Sequence, residues 1–210
     1  MEEVFGKKSN LNVFQKIVYS LLKPESFFKE IKNEPFSATF LYLLFISFIS
    51  LVLQTILFLI GVSFYQDAAI EVFFGDFIID ILLSFIGAGV FHIFAKILGG
   101  RSNYNGTFQA YVYGFTPAIL LGWIPYIGII GLIYGVYIFV RGISFIHEIS
   151  MSKAFFVWFI PILILVIIVG IIILILGVAV ISYLAGLYNT NPELLESFKT
   201  TGEIFKILKA

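Results

Sequence analysis

Long apolar stretches with very little charge limit what this chain can fold into more than any other feature. Residues 36–62, 77–98, 108–146 and 154–184 consist mainly of aliphatic and aromatic side chains. An α-helix needs about 20 apolar residues to cross the hydrocarbon core of a bilayer, and each stretch provides that length. The chain is 60% hydrophobic and 12% charged, whereas soluble domains are about 25% charged. We therefore expect an all-α, polytopic transmembrane helix bundle.

The number of spans depends on the third stretch, because residues 108–146 are too long for a single crossing. The sequence Gly-Trp-Ile-Pro-Tyr at positions 122–126 predicts a tight hairpin that divides it. The pieces 108–121 and 127–146 then bring the total to about five spans. The first piece is short and contains Pro117, so the question of whether residues 108–124 cross fully or re-enter stays open.

Three regions are predicted along the chain. A cytosolic amphipathic head at residues 1–35 precedes a five-span transmembrane domain at 36–184, and a polar tail occupies 185–210. Apolar residues recur at helical spacing up to Leu22, with Asn10 as the predicted N-cap, and a second helix starts at Pro24. Two placements of these helices stay open, either in the interface plane with the apolar side in lipid or packed on the bundle.

The distribution of basic residues predicts the orientation. The head and the loops after spans two and four hold most of the Lys and Arg residues, whereas the loop after span one and the hairpin hold none. Cytoplasmic loops carry an excess of such residues. We therefore expect a multi-pass protein with a cytosolic N-terminus and a C-terminus outside.

The second span carries the most polar side chains. Asp76, Asp80 and Ser84 share one helical face, and His92 lies nearer the other end of the span. Ionisable residues within a membrane are costly and indicate function by default. These four residues form the candidate functional polar face, with two interpretations: a cation or proton site inside the bundle, or carboxylates that reach water at the outer interface.

Other functional classes find little support. The chain has no cysteine, two histidines and a formal net charge of zero, which argues against metal, thiol and nucleic-acid chemistry. No phosphate loop or nucleophile motif stands in a suitable context. We expect a non-enzymatic protein without catalytic residues, metal or cofactor. Gly131 and Gly135 form a small-xxx-small pattern that favours close helix packing, within the chain or in a dimer.

Four segments, in this order, resemble the Yip family of Ypt/Rab-interacting membrane proteins and their prokaryotic relatives. They are residues 22–31 (LKPESFFKEI), 107–117 (TFQAYVYGFTP), 123–128 (WIPYIG) and 141–154 (RGISFIHEISMSKA). Tyr113 and Gly114 match the family's Tyr-Gly pair, and we expect them to pack helices together with Pro117.

The resemblance implies a five-helix membrane domain with a cytosolic head, and a role in organising or shaping membrane or as a trafficking adaptor. The lipid bilayer is the expected partner, together with a homo-oligomer or a related membrane protein, and no nucleic acid. The head lacks the Asp-Leu-Tyr-Gly-Pro motif of eukaryotic members, which argues against binding of a Rab-type GTPase. Its short length resembles bacterial or archaeal members. The alternative function is a small transporter or channel that uses the polar face of the second span.

Overall fold

The computed structural model describes residues 11–60 and 70–190, and all regular structure in these residues is helical. In chain order the helices are α1 (Val13–Leu22), α2 (Pro24–Ile31), α3 (Phe36–Leu59), α4 (Ile70–Ile97), α5 (Tyr104–Gly114), α6 (Thr116–Leu121), α7 (Ile127–His147) and α8 (Met151–Thr190).

Four described helices are long and apolar enough to cross a membrane. They are α3, the segment Phe74–Ile97 of α4, α7, and the segment Met151–Leu187 of α8. The broken segment α5–α6 supplies a further apolar element between α4 and α7, which is compatible with about five spans. The predicted fold class, an all-α membrane helix bundle, is confirmed.

The third apolar stretch breaks twice. The predicted hairpin is present, because α6 ends at Leu121 and α7 begins at Ile127. A second break at Phe115 separates α5 from α6 and was not predicted. Its physical reason is Pro117, which has no amide hydrogen to donate to the carbonyl four residues earlier and whose ring disfavours a continuous helix.

The predicted N-cap of the first helix is wrong. Helix α1 is capped by Asn12 rather than Asn10: the Asn12 side chain accepts from the Gln15 amide at 2.8 Å, and the Gln15 side chain accepts from the Asn12 amide at 2.9 Å. This reciprocal capping box fixes the start of α1. Helix α4 is described from Ile70, and its membrane-span segment Phe74–Ile97 agrees within a few residues with the predicted span 77–98.

The residues described up to Pro161 form one compact unit with α5 at its centre. Helix α5 packs against α3, α4 and α7, and its Phe108, Val112 and Tyr113 are fully buried. Helix α2 packs on α7, with Phe28 against Gly142, and its Phe27, Phe28 and Ile31 are buried. The second head helix therefore lies on the bundle.

A second unit begins at Ile162 and is described as far as Thr190, where it is the continuation of α8. Its large side chains are apolar and exposed from Leu163 to Leu184. A helix that is hydrophobic on all sides is typical of a segment whose solvent is lipid.

Candidate functional site

A buried carboxylate gathers polar side chains where the head joins the bundle. Glu34 Oε1 pairs with Lys16 Nζ at 2.6 Å, and both side chains are almost inaccessible to solvent. Glu34 Oε2 accepts from the Tyr113 hydroxyl at 2.8 Å, and Lys16 Nζ lies 3.3 Å from the same hydroxyl. A residue just before the first span is thereby connected to α1 and to α5.

The backbone carbonyl of Glu34 is also hydrogen-bonded to α5. Its carbonyl oxygen accepts from Asn105 Nδ2 at 3.0 Å and from Gln109 Nε2 at 2.8 Å, one turn apart on α5. The chain turns at residues 32–33, just before Glu34, and Pro35 follows in an extended conformation as the N-cap of α3. We call Lys16, Glu34 and these α5 partners the Glu34 cluster.

The Glu34 cluster is suited to holding helices together rather than to binding a ligand. A buried charge is tolerated only when it is paired and its remaining hydrogen-bonding positions are filled. Both carboxylate oxygens of Glu34 have partners. The Tyr113 ring packs against the rings of Phe27 and Tyr42, at centroid distances of 4.9 and 4.6 Å. The cluster therefore fixes α1 and the start of α3 to α5.

A second polar contact joins the two histidines through one hydroxyl. Thr107 Oγ1 lies 2.7 Å from His92 Nδ1 and 2.8 Å from His147 Nε2, which connects α4, α5 and α7. His147 is buried and packs closely on Gly100. Among the described residues, no group of three His, Cys, Asp or Glu side chains is arranged to hold a metal ion.

The candidate polar face of α4 is divided by the structure. Asp76 is exposed and Asp80 half-buried, and both line a cavity of about 250 Å³ that also borders Ser50 and Gln54 of α3 and Trp123 of the hairpin. This cavity can accommodate a small cation or a few water molecules next to the carboxylates.

The two remaining residues of that face lie elsewhere. The Ser84 hydroxyl donates to the Asp80 carbonyl at 2.7 Å, a bond within α4. His92 lies three turns beyond Asp80 on α4, about 18 Å at 1.5 Å per residue. It contacts Thr107 together with His147. The structure therefore brings Asp76 and Asp80 together with α3 and does not bring His92 to them.

The candidate packing residues lie where α7 crosses α5 and α6. A Cβ at Gly131 would meet the Pro117 carbonyl oxygen at 2.9 Å, and one at Gly135 would meet the Gly114 carbonyl oxygen at 3.2 Å. A Cβ at Gly114 would lie 2.7 Å from Phe139 Cα. In this chain these glycines allow close backbone contact between helices, while Tyr113 contributes to the Glu34 cluster.

Sequence reasoning missed Lys16 and Glu34 as partners. The sequence patterns discussed above assign no role to either residue. The available signal was a single carboxylate directly before an uncharged span, together with a tyrosine in an otherwise apolar segment. Neither residue type alone indicates which lysine the carboxylate meets.

A family model described as the Yip1 domain matches residues 18–174. No curated protein and no solved structure matches the chain.

Proposed function

Because the chain belongs to the Yip1 domain family, we propose that it is a non-enzymatic membrane protein that organises or shapes the bilayer through its N-terminal head. That it is an integral, multi-pass membrane protein follows from the family and from its long apolar helices. The proposed role of the head rests on the orientation of α1.

Helix α1 is inserted in the protein with its polar side inwards. Lys16 and Ser20 are buried, while Phe14 and Leu22 are each 73% exposed. At 100° per residue, Phe14 and Leu22 lie roughly opposite Lys16 and Ser20 on the helix. A soluble protein would orient such a helix the other way, because exposed Phe and Leu side chains cost free energy in water.

The exposed apolar side of α1 fits the boundary between headgroups and acyl chains. Amphipathic helices in that plane bury their apolar face about 5–10 Å into the boundary, and binding depends on curvature. The Glu34 cluster fixes the other side of α1 to the bundle. The helix therefore inserts into one leaflet at a fixed position relative to the spans, which expands that leaflet and favours curvature.

The absence of enzymatic activity is part of the same proposal. The buried charges of Lys16 and Glu34 neutralise each other, which supports a structural and not a catalytic role for this pair. We also propose a cytosolic N-terminus, an outside C-terminus and the cell membrane of a bacterium or archaeon as the location. The partners are the lipid bilayer and a second copy or a related membrane protein, without a Rab-type GTPase.

The test is vesicle remodelling by purified protein in liposomes of fixed composition. We expect Phe14→Ser combined with Leu22→Ser to abolish the change in vesicle diameter seen by electron cryomicroscopy, whereas Phe14→Leu with Leu22→Met retains it. Because the two side chains are exposed, the melting temperature should be nearly the same in both variants. Equal remodelling by both variants would contradict the proposed role of α1.

The cavity beside Asp80 favours a second candidate function, a small transporter or channel. Its support is that Asp76 and Asp80 of α4 border open space together with Ser50 and Gln54 of α3. Proton or monovalent-cation flux in proteoliposomes tests it, with Asp80→Asn compared with Ser84→Ala, whose hydroxyl serves only a backbone carbonyl. Flux that is lost in Asp80→Asn alone would favour transport over membrane shaping.

A further inference from the structure

A cleft of about 370 Å³ lies between the second head helix and the adjoining ends of α7 and α8. Glu25 and Lys29 line it from α2, one helical turn apart, and Arg141 and Phe145 line it from α7. Met151, the first residue of α8, borders it as well. The cleft is separate from both the Glu34 cluster and the cavity beside Asp80.

The charges that line this cleft do not balance. Arg141 Nη1 pairs with Glu25 Oε1, and Arg141 Nε is buried without a hydrogen-bond acceptor. Lys29 is exposed and forms no salt bridge within residues 11–60 and 70–190. Two cations and one carboxylate leave one uncompensated positive charge.

Two basic residues near the cleft are engaged by Glu148 instead. Lys32, the C-cap residue of α2, pairs with Glu148 at 2.7 Å, and Arg101 lies 3.5 Å from the second oxygen of Glu148. The excess positive charge of the cleft is therefore that of Lys29.

The position and the walls of the cleft indicate what kind of anion it suits. Arg141 and Phe145 lie in the last turns of the α7 span, and Met151 begins the α8 span, so the cleft opens at the level where lipid headgroups lie. Phe145 and Met151 add apolar surface, and the N-terminus of α8 adds a partial positive charge. Basic pockets between transmembrane helices bind anionic headgroups.

We propose that this cleft binds the phosphodiester headgroup of an anionic phospholipid. A phosphodiester carries one negative charge, which balances the one excess cation, and Arg and Lys are strong partners of phosphate oxygens. The acyl chains continue along Phe145 and Met151 into the bilayer. This site goes beyond the proposed membrane shaping, since it depends on α2 and α7 and not on the exposed side of α1.

Native mass spectrometry of the detergent-purified protein tests the proposal, with phosphatidylglycerol and phosphatidylcholine added at equal concentration. We expect phosphatidylglycerol adducts in preference to phosphatidylcholine. Lys29→Gln should weaken the anionic adduct about five-fold, the effect of one basic residue at a lipid surface. Lys23→Gln removes the same charge from the exposed part of the head outside the cleft and should leave binding unchanged.

Glu25→Gln provides a change in the opposite direction. It frees Arg141 and raises the excess positive charge of the cleft from one to two, so the anionic adduct should become about five-fold stronger. Equal binding by the wild type, Lys29→Gln and Lys23→Gln would overturn the proposal. Displacement of the lipid by glycerol phosphate at equal concentration would also overturn it, by assigning the cleft to a soluble phosphate.

Discussion

Two carboxylates, one near each end of α3, have different surroundings. Glu34, just before α3, is buried with both side-chain oxygens paired. Asp80 of α4 lies near Gln54, late in α3, and is half-buried beside an open cavity. The 18 residues between Phe36 and Gln54 separate the two sites by about 27 Å of helix.

The difference shows how to tell a structural charge from a candidate functional one in a membrane bundle. Removing a charge from water is costly at either place. At Glu34 this cost is offset by the ion pair with Lys16 and the hydrogen bond from the Tyr113 hydroxyl. These contacts hold α1 and the start of α3 against α5. At Asp80 the open space leaves the carboxylate able to bind water, a proton or a cation. The stability effects of substitutions at the two ends should therefore differ.

The largest effect is expected for Glu34→Gln. It leaves Lys16 as an uncompensated buried charge, and removing one partner of a buried pair costs about 3–5 kcal/mol of unfolding free energy. Denaturant unfolding in detergent measures it, with Lys32→Gln as the exposed-pair control at about 0–1 kcal/mol. Similar losses in both variants would remove the distinction between buried and exposed charges.

A smaller loss is expected for Tyr113→Phe. The ring keeps its contacts with Phe27 and Tyr42, while Glu34 Oε2 loses its hydroxyl donor. A hydrogen bond to a charged group contributes about 1.5–3 kcal/mol. The same unfolding experiment measures the loss, and the Glu34→Gln/Tyr113→Phe double variant should lose less than the sum of the single changes because the two residues interact. Strict additivity would argue against the cluster.

Asp80→Asn should change stability by less than about 1 kcal/mol, because the carboxylate borders a cavity and the amide has nearly the same shape. Its unfolding free energy is to be compared with that of Glu34→Gln under the same conditions. A loss as large as that of Glu34→Gln would mean that Asp80 is also a structural charge, and the comparison between the two ends would fail.

The smallest effect concerns Glu148, outside the spans. The hydrogen bond from Lys32, and then its positive charge, lower the pKa of Glu148 from the ordinary value of 4.5. A lowered folded-state pKa stabilises the protein above the unfolded value, and this contribution is lost as the pH falls through the folded value. Glu148→Gln should therefore reduce the difference in melting temperature between pH 7 and pH 3 slightly. An unchanged difference would mean that this exposed pair contributes nothing measurable.

The sequence by itself determined that the long apolar segments are helices and that lipid surrounds them. An uncharged apolar run such as residues 36–62 favours a helix in lipid, since an unpaired backbone is too costly there. The hairpin at residues 122–126 could be predicted as well, because its glycine and proline act locally. The break at Phe115 also has a local cause in Pro117, but the hydrophobicity of the segment concealed it.

Only the tertiary structure decided which polar groups meet. The helical period places Lys16 on one side of α1, yet nothing in the local sequence shows that this side faces Glu34, 18 residues away, and Tyr113, 97 residues away. Asp76, Asp80, Ser84 and His92 are close in sequence, but the packing of α3 and α5 assigns them to different surroundings. Hydrophobic burial is not directional and can be read from composition, whereas hydrogen bonds and ion pairs require atoms at defined distances that only packed helices provide.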